Sequence, residues 1–193
     1  MLESAIEDTH TLERLAAGEK DAFAALVRKY ETRVRGYCAY TLRDAALAQD
    51  AAQEIFLKAY QGLKSFHGRS AFSTWLYRIM VNHCRDVLRK TARRKSESWE
   101  ALLEREGEKA EERLPSTGDA SVRLEHAELL RDALARLPES QRAILLLRES
   151  QGLSYEELSQ VLNCSVIAVK SRLKRARQAI LDNSRHFPSL DGV

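Results

Sequence analysis

Proline and glycine are scarce in this chain, at three and eight of 193 residues. So few breakers enforce few turns. No segment alternates apolar and polar residues long enough to read as a half-buried strand. Cysteine is also sparse: Cys38, Cys84 and Cys164 lie far apart with no Cys-x-x-Cys pair. That spacing argues against a disulfide scaffold and for a reducing compartment. Each is read as a small buried hydrophobe. The five histidines are scattered, and none stands at metal-ligand spacing from a cysteine, so neither a metal nor a cofactor is expected. His83 and Cys84 are adjacent, and neighbouring side chains on a helix diverge by about 100°, so they form no nucleophile–base pair. No apolar run approaches bilayer length, and no apolar leader is evident at the N-terminus. A cytoplasmic chain is expected.

What the chain does have is charge, unevenly spread. Hydrophobic residues make up 44% and charged residues 31%, which suits a soluble protein with real cores. The formal net charge of +3 hides four blocks. Residues 1–60 hold 8 basic and 10 acidic side chains, and residues 61–95 hold 9 and 1. Residues 96–140 hold 6 and 12, and residues 141–193 hold 8 and 5. Two basic blocks separated by an acidic one imply two polyanion contacts on one chain.

Apolar residues recur at helical spacing, so the fold class is all-α. A short helix is predicted over Thr11–Ala17, stopping at Gly18. A longer one follows Asp21, with Phe23, Leu26, Val27, Tyr30, Val34 and Tyr37 on one face. Asp44 can cap a third, whose stripe is Ala48, Ala52, Ile55, Phe56, Ala59 and Leu63. Ser70 can cap a fourth, predicted to bury Phe72, Leu76, Ile79, His83 and Val87. From Ser96 to Ser121 the pattern dissolves into a Glu-rich stretch ending in Leu114-Pro-Ser-Thr-Gly118, read as a flexible acidic linker with a helical turn at Trp99–Leu103. Two small helical domains are therefore expected, 1–95 and 122–193, joined by 96–121. In the second, a helix ends at Leu137, and Pro138 opens the next one, which contains Ala143-Ile-Leu-Leu-Leu147.

The C-terminal domain carries the clearest local signal. Ser154 with Glu157 three residues on is a capping box, and Leu158, Val161 and Leu162 give that helix an apolar face. Asn163 and Ser165 break the chain, and Ser165 suits the N-cap of the last helix. That helix places Val169, Leu173, Ala176 and Ile180 inward, with Lys170, Lys174 and Arg177 beside them. Two short helices, a tight turn and a basic second helix describe a helix-turn-helix that docks in a DNA major groove. A solvated basic face on an ordinary bundle is the plainer alternative.

The fourth helix has a second polar face. Arg78, Asn82, Arg85 and Arg89 project together, with Trp75 at the border and Phe66, His67 and Ser70 in the loop before it. Arginine clamps phosphate, asparagine can read a base edge, and aromatic rings can hold an unstacked base. Trp75 fits a core position as well as a base contact. On the third helix Asp50, Glu54 and Gln61 align, with Gln53 and Lys58 beside them; spacing alone favours a solvated face there.

These residues carry a resemblance. Gln49-Asp-Ala-Ala-Gln-Glu-Ile-Phe-Leu-Lys-Ala-Tyr60, Phe66-His-Gly-Arg-Ser-Ala-Phe-Ser-Thr-Trp-Leu-Tyr-Arg-Ile-Met-Val-Asn82, Leu137-Pro-Glu-Ser-Gln-Arg and Gly152-Leu-Ser-Tyr-Glu-Glu-Leu resemble the extracytoplasmic-function (ECF) sigma factors of bacterial RNA polymerase. The similarity spans roughly residues 10–95 and 122–182, in the family's order. It implies that Asp50, Gln53, Glu54 and Phe56 meet the clamp helices of the polymerase's largest subunit. It implies that Phe66, His67, Ser70, Trp75, Arg78, Asn82 and Arg85 read and melt the minus-10 element as single-stranded DNA, with a flipped base in the Phe66–Ser70 loop. Lys170, Ser171, Lys174 and Arg177 would contact duplex minus-35 DNA. The acidic linker would thread through the polymerase near the RNA path. The implied partners are core RNA polymerase, promoter DNA and an anti-sigma factor, often membrane-anchored; no small-molecule substrate is implied, and the chain would be no enzyme in itself. Where family members often have Gly-Thr, this chain has Ile167-Ala168, so a hydroxyl contact to phosphate is missing at Ala168. No further regulatory domain is expected after Ile180. Two rival readings are a stand-alone helix-turn-helix regulator, which has no need of the Asp50–Glu54 face, and a site-specific recombinase, which needs an α/β catalytic domain that no strand pattern supports.

Overall fold

The structure is a computed structural model and describes residues 2–102 and 130–184. Among those residues every regular element is helical. Helix α1 spans Leu2–Ala16, α2 Ala22–Leu42, α3 Ala45–Gly62 and α4 Phe72–Leu102, with a 3₁₀ turn at Leu63–Ser65. In the second described stretch, α5 is helical at 130–135. It precedes α6 at Glu139–Leu145, a π-helical turn at Leu146–Ser150, α7 at Tyr155–Leu162 and α8 at Val166–Ser184.

Local chemistry sets the boundaries. Arg43 adopts a left-handed conformation at φ 61°, ending α2. Asp44 is then extended and its carboxylate accepts the Leu47 N–H at 2.8 Å, capping α3 as its sequence position predicts. At α4 the expectation fails by one residue. Ala71, not Ser70, stands immediately before the helix. Pro138 is also displaced: it takes the extended N-cap position of α6 rather than the first helical one. The Ala143–Leu147 run is helical and buried throughout.

Packing follows side-chain size. α2 buries Leu26, Tyr30, Val34 and Tyr37. α3 meets it mostly through Ala48, Ala51, Ala52, Ile55 and Ala59, and small side chains let helix axes approach closely. α1, longer than its predicted span, is pinned by a buried carboxylate. Asp8 accepts from the Tyr30 hydroxyl at 2.5 Å and from Lys29 Nζ at 2.7 Å. Burial weakens the Lys29 ammonium, yet its hydrogen bonds to Asp8 and Glu7 outweigh that and raise its pKa.

The α4 stripe differs from expectation. Its buried residues are Phe72, Thr74, Leu76, Tyr77, Met80, Val81 and Cys84, while Ile79, His83 and Val87 are only half-buried. α4 packs against α1, α2 and α3 and also against α7. A helix covered from several sides has no single apolar stripe. It also runs past residue 95 into the stretch expected as linker, as far as Leu102. The remainder of that linker, and the boundary at 122, lie outside the described residues.

The two halves touch. Arg142 of α6 donates to the Thr41 carbonyl at the end of α2, at 3.2 Å, and to the Leu137 carbonyl at 3.0 Å. One continuous set of buried apolar side chains runs from Leu26 and Val34 to Leu158, Val169 and Ala176.

Candidate nucleic-acid interface

The helix-turn-helix is built by three backbone devices. Ser154 and Glu157 form the expected capping box, with Glu157 Oε2 accepting the Ser154 N–H at 2.7 Å and Ser154 Oγ accepting the Glu157 N–H at 3.1 Å. Asn163 ends α7 in the left-handed region at φ 48°. Asparagine tolerates that region better than most residues. Ser165 Oγ then accepts the Ala168 N–H at 3.2 Å and starts α8. Leu158 and Val161 of α7 and Val169, Leu173 and Ala176 of α8 fill the space between the helices.

That packing fixes the face that α8 presents outward. Ser171 and Lys174 lie opposite the buried row and are exposed. Ile167 shares their face and is the most exposed large hydrophobic among the described residues, at 81%. The other two predicted contacts sit on a flank. Lys170 Nζ lies 5.8 Å from the centre of the Tyr155 ring, which Arg148 also covers at 5.1 Å. Arg177 donates to Glu149 at 2.8 Å, a solvent-exposed pair of modest strength.

On α4 the predicted arginine face is present but partly occupied. Asn82 is exposed and Arg89 pairs with Asp86 at 3.0 Å. Arg78 Nε donates to the Gln160 carbonyl at 3.1 Å, and Arg85 pairs with Glu139 at 3.0 Å. Both acceptors belong to the C-terminal half. Arg85 also lines a cleft of about 410 Å³ with Ser140, Gln141, Leu162, Arg172 and Arg175. Helical spacing gives no sign of Arg172 or Arg175 at this place, because only the packing of the two halves brings them to Arg85.

The loop before α4 forms an aromatic corner. The Phe66 ring lies 5.9 Å from Phe72 and 5.2 Å from Trp75, and Phe72 lies 5.7 Å from Trp75. Trp75 is half-buried, so it serves the core and also presents an edge. Gly62 makes room for it: a Cβ there would lie 3.2 Å from the indole. His67 is exposed and Ser70 half-buried. Lys58 of α3 and Nδ1 of His83 on α4 are 2.7 Å apart. Burial, then the Lys58 charge, pulls the His83 pKa below its ordinary value.

On α3, Asp50, Gln53 and Glu54 are exposed. Phe56 lies on another side of the helix, half-buried against the core. Leu57 and Tyr60, absent from the predicted contact set, are exposed at 52% and 40%. Leu57 lies seven residues after Asp50, so the same spacing that aligns Asp50 and Glu54 also reaches it. Cys38 and Cys84 are fully buried with their sulfurs 3.7 Å apart, and the hydrogen bond to Cys38, with burial, pushes the Cys84 thiol pKa up. A buried thiol held in its neutral form is a poor nucleophile.

The family description Sigma-70 region 2 matches residues 26–94, and Sigma-70, region 4 matches residues 127–180. The chain is 41% identical over 177 residues to the RNA polymerase sigma-H factor of Pseudomonas aeruginosa, covering 90% of this chain and 92% of that protein. It is 36% identical over 179 residues to the ECF RNA polymerase sigma-E factor of Haemophilus influenzae, covering 91% and 94%. For the protein of the same name from Escherichia coli K12 the identity is 37%, covering 91% and 93%. Two solved structures share the fold. One is CnrH in complex with the cytosolic domain of CnrY, with a TM-score of 0.67 and 24% identity, covering 91% of this chain and 96% of that one. The other is the sigma factor RpoE in complex with the anti-sigma factor NepR from Bartonella quintana, with a TM-score of 0.65 and 20% identity, covering 87% and 99%.

Proposed function

We infer the roles of the individual surfaces from the premise that this chain belongs to the ECF sigma factors of RNA polymerase. It is an alternative sigma factor, directing core polymerase to specific promoters. We propose that α3 docks the polymerase through Asp50, Gln53 and Glu54, with Leu57 and Tyr60 supplying the apolar part of the contact and Phe56 supporting it from behind. The Phe66–Ser70 loop with Trp75, Arg78, Asn82 and Arg85 takes the minus-10 strand. α8 enters the minus-35 major groove with Ser171 and Lys174 forward, and with Lys170 and Arg177 at its flank toward phosphates. Residues 1–95 and 122–193 act as separate DNA-reading units joined through 96–121. The observation that supports this best is that one chain carries two distinct basic helix faces, on α4 and on α8.

We assign the chain no reaction of its own; nucleotide chemistry stays with the polymerase. No helix among the described residues is long and apolar enough to cross a membrane, and we place the chain in the cytoplasm with its polymerase. An anti-sigma factor is the proposed regulator, by family membership.

The test is transcription in vitro with purified core polymerase and promoter fragments. Asp50→Arg with Glu54→Arg inverts the charge of the α3 face, and mismatched charge across an interface is costly. The double variant should lose co-purification with core while keeping its helical content. Asn82→Ala should keep core binding but fail to expose permanganate-reactive thymines on the minus-10 element. Operator binding by the chain alone, undiminished by the α3 changes, would instead mark a stand-alone regulator.

A further inference from the structure

We propose that Ile167 is a specificity-determining residue that reads the C5-methyl group of a thymine in the minus-35 element. The proposal rests on the reading of α8 as the minus-35 helix and adds to it a residue and a ligand group. Val169, Leu173 and Ala176 fix the buried side of α8. Ile167, Ser171, Lys174 and Gln178 succeed one another by four, three and four residues, which sets all four on the opposite side. Ile167, Lys174 and Gln178 are exposed, and so is Ser171 between them. Ile167 is therefore not at the edge of the buried patch but at the pole farthest from it.

Its place along the helix matters as much as its direction. Ile167 is the second residue of α8, after the Ser165 cap. The N-terminal residues of a recognition helix are the ones that reach base edges. Every other member of that row is polar, so each can donate or accept. Ile167 can do neither, and it gains nothing from water. The one apolar group that base pairs present in the major groove is the thymine methyl, and apolar side chains recognise it by contact. A branched aliphatic side chain loses χ1 freedom in a helix, so it offers a fixed surface. The face thus divides its labour: Ser171 and Lys174 make hydrogen bonds, and Ile167 makes a packing contact that favours thymine through its C5-methyl group, which cytosine lacks.

Core polymerase carrying the full chain is offered promoter duplexes with a randomised minus-35 element, and the bound DNA is sequenced. The wild type should enrich thymine at one position where Ile167→Ala does not, while Ile167→Val retains the preference. On the selected duplex, deoxyuridine in place of that thymine removes only the methyl group. Losing one buried methyl should weaken wild-type binding about fourfold. The same change should leave Ile167→Ala unaffected. Wild-type affinity that is unaltered by deoxyuridine at every minus-35 thymine overturns the proposal, as does an Ile167→Ala variant that keeps every wild-type thymine preference. Lys174→Ala on the same DNA separates the two levels. If it weakens binding while deoxyuridine does nothing, Ile167 alone is misassigned. If neither Lys174→Ala nor Ile167→Ala changes binding, the placement of α8 falls with it.

Discussion

At the residue scale, the most consequential polar group is Asp8, almost fully buried and shared between Tyr30 and Lys29. Removing one partner of a buried hydrogen bond leaves the others unsatisfied, at a cost of about 1–3 kcal/mol. Asp8→Ala should therefore destabilise the protein by that order in urea unfolding. Asp8→Asn should cost less, since its amide oxygen still accepts from Tyr30. His83 carries a pH dependence of definite sign. Its pKa in the fold lies below the ordinary value of about 6.5. Below that pH the unfolded chain binds a proton that the folded chain resists, so stability falls as pH is lowered through that range. Burial enforces this first, with Lys58 and Lys90 adding to it, and Glu54 and Asp86 oppose it. Midpoints of thermal unfolding at about pH 7.5 and 5.5 should differ less in His83→Gln than in wild type.

At the element scale, capping and turn chemistry are legible in the order of residues. Asp44, Ser154 with Glu157, and Ser165 each make the bond their position predicts. Asn163 is the hinge of the helix-turn-helix, in a conformation that a Cβ-bearing residue without a short polar side chain enters only at a cost of about 1–2 kcal/mol. Asn163→Ala should therefore lower stability by about that amount, and Asn163→Gly by much less, in the same unfolding assay. The buried side of α4 is not legible in this way, because which of its faces is inner depends on α7, a partner 82 positions away at the Arg78–Gln160 contact. The exposure of Leu57 is legible from spacing but obscured by its hydrophobicity, since an apolar residue on a helix reads first as core.

At the scale of the whole molecule, the N-terminal half holds the arginine face of α4, its proposed DNA face, against the C-terminal half. Arg78 and Arg85 bond to Gln160 and Glu139, so the strand that α4 is proposed to read competes with those contacts. Glu139→Arg sets like charges at Arg85 and should open the free chain, seen as a larger radius of gyration by X-ray scattering. Its binding to single-stranded minus-10 DNA should rise as well. An unchanged radius and unchanged binding would mean the Arg85–Glu139 pair holds nothing shut. Sequence spacing puts Arg85 on the proposed DNA face, but nothing in spacing joins positions 85 and 139, which meet only through tertiary packing.

Sulfur chemistry turns the same architecture into an instrument. Cys38 and Cys84 are sealed between α2 and α4, whereas Cys164 is partly open in the turn between α7 and α8. A thiol-reactive dye applied to the native protein should therefore modify a single cysteine, and all three only after denaturation. The chain comes with a built-in attachment point beside α8, its proposed recognition helix, where one fluorophore, without any engineered cysteine, would register the arrival of DNA or of a regulatory protein.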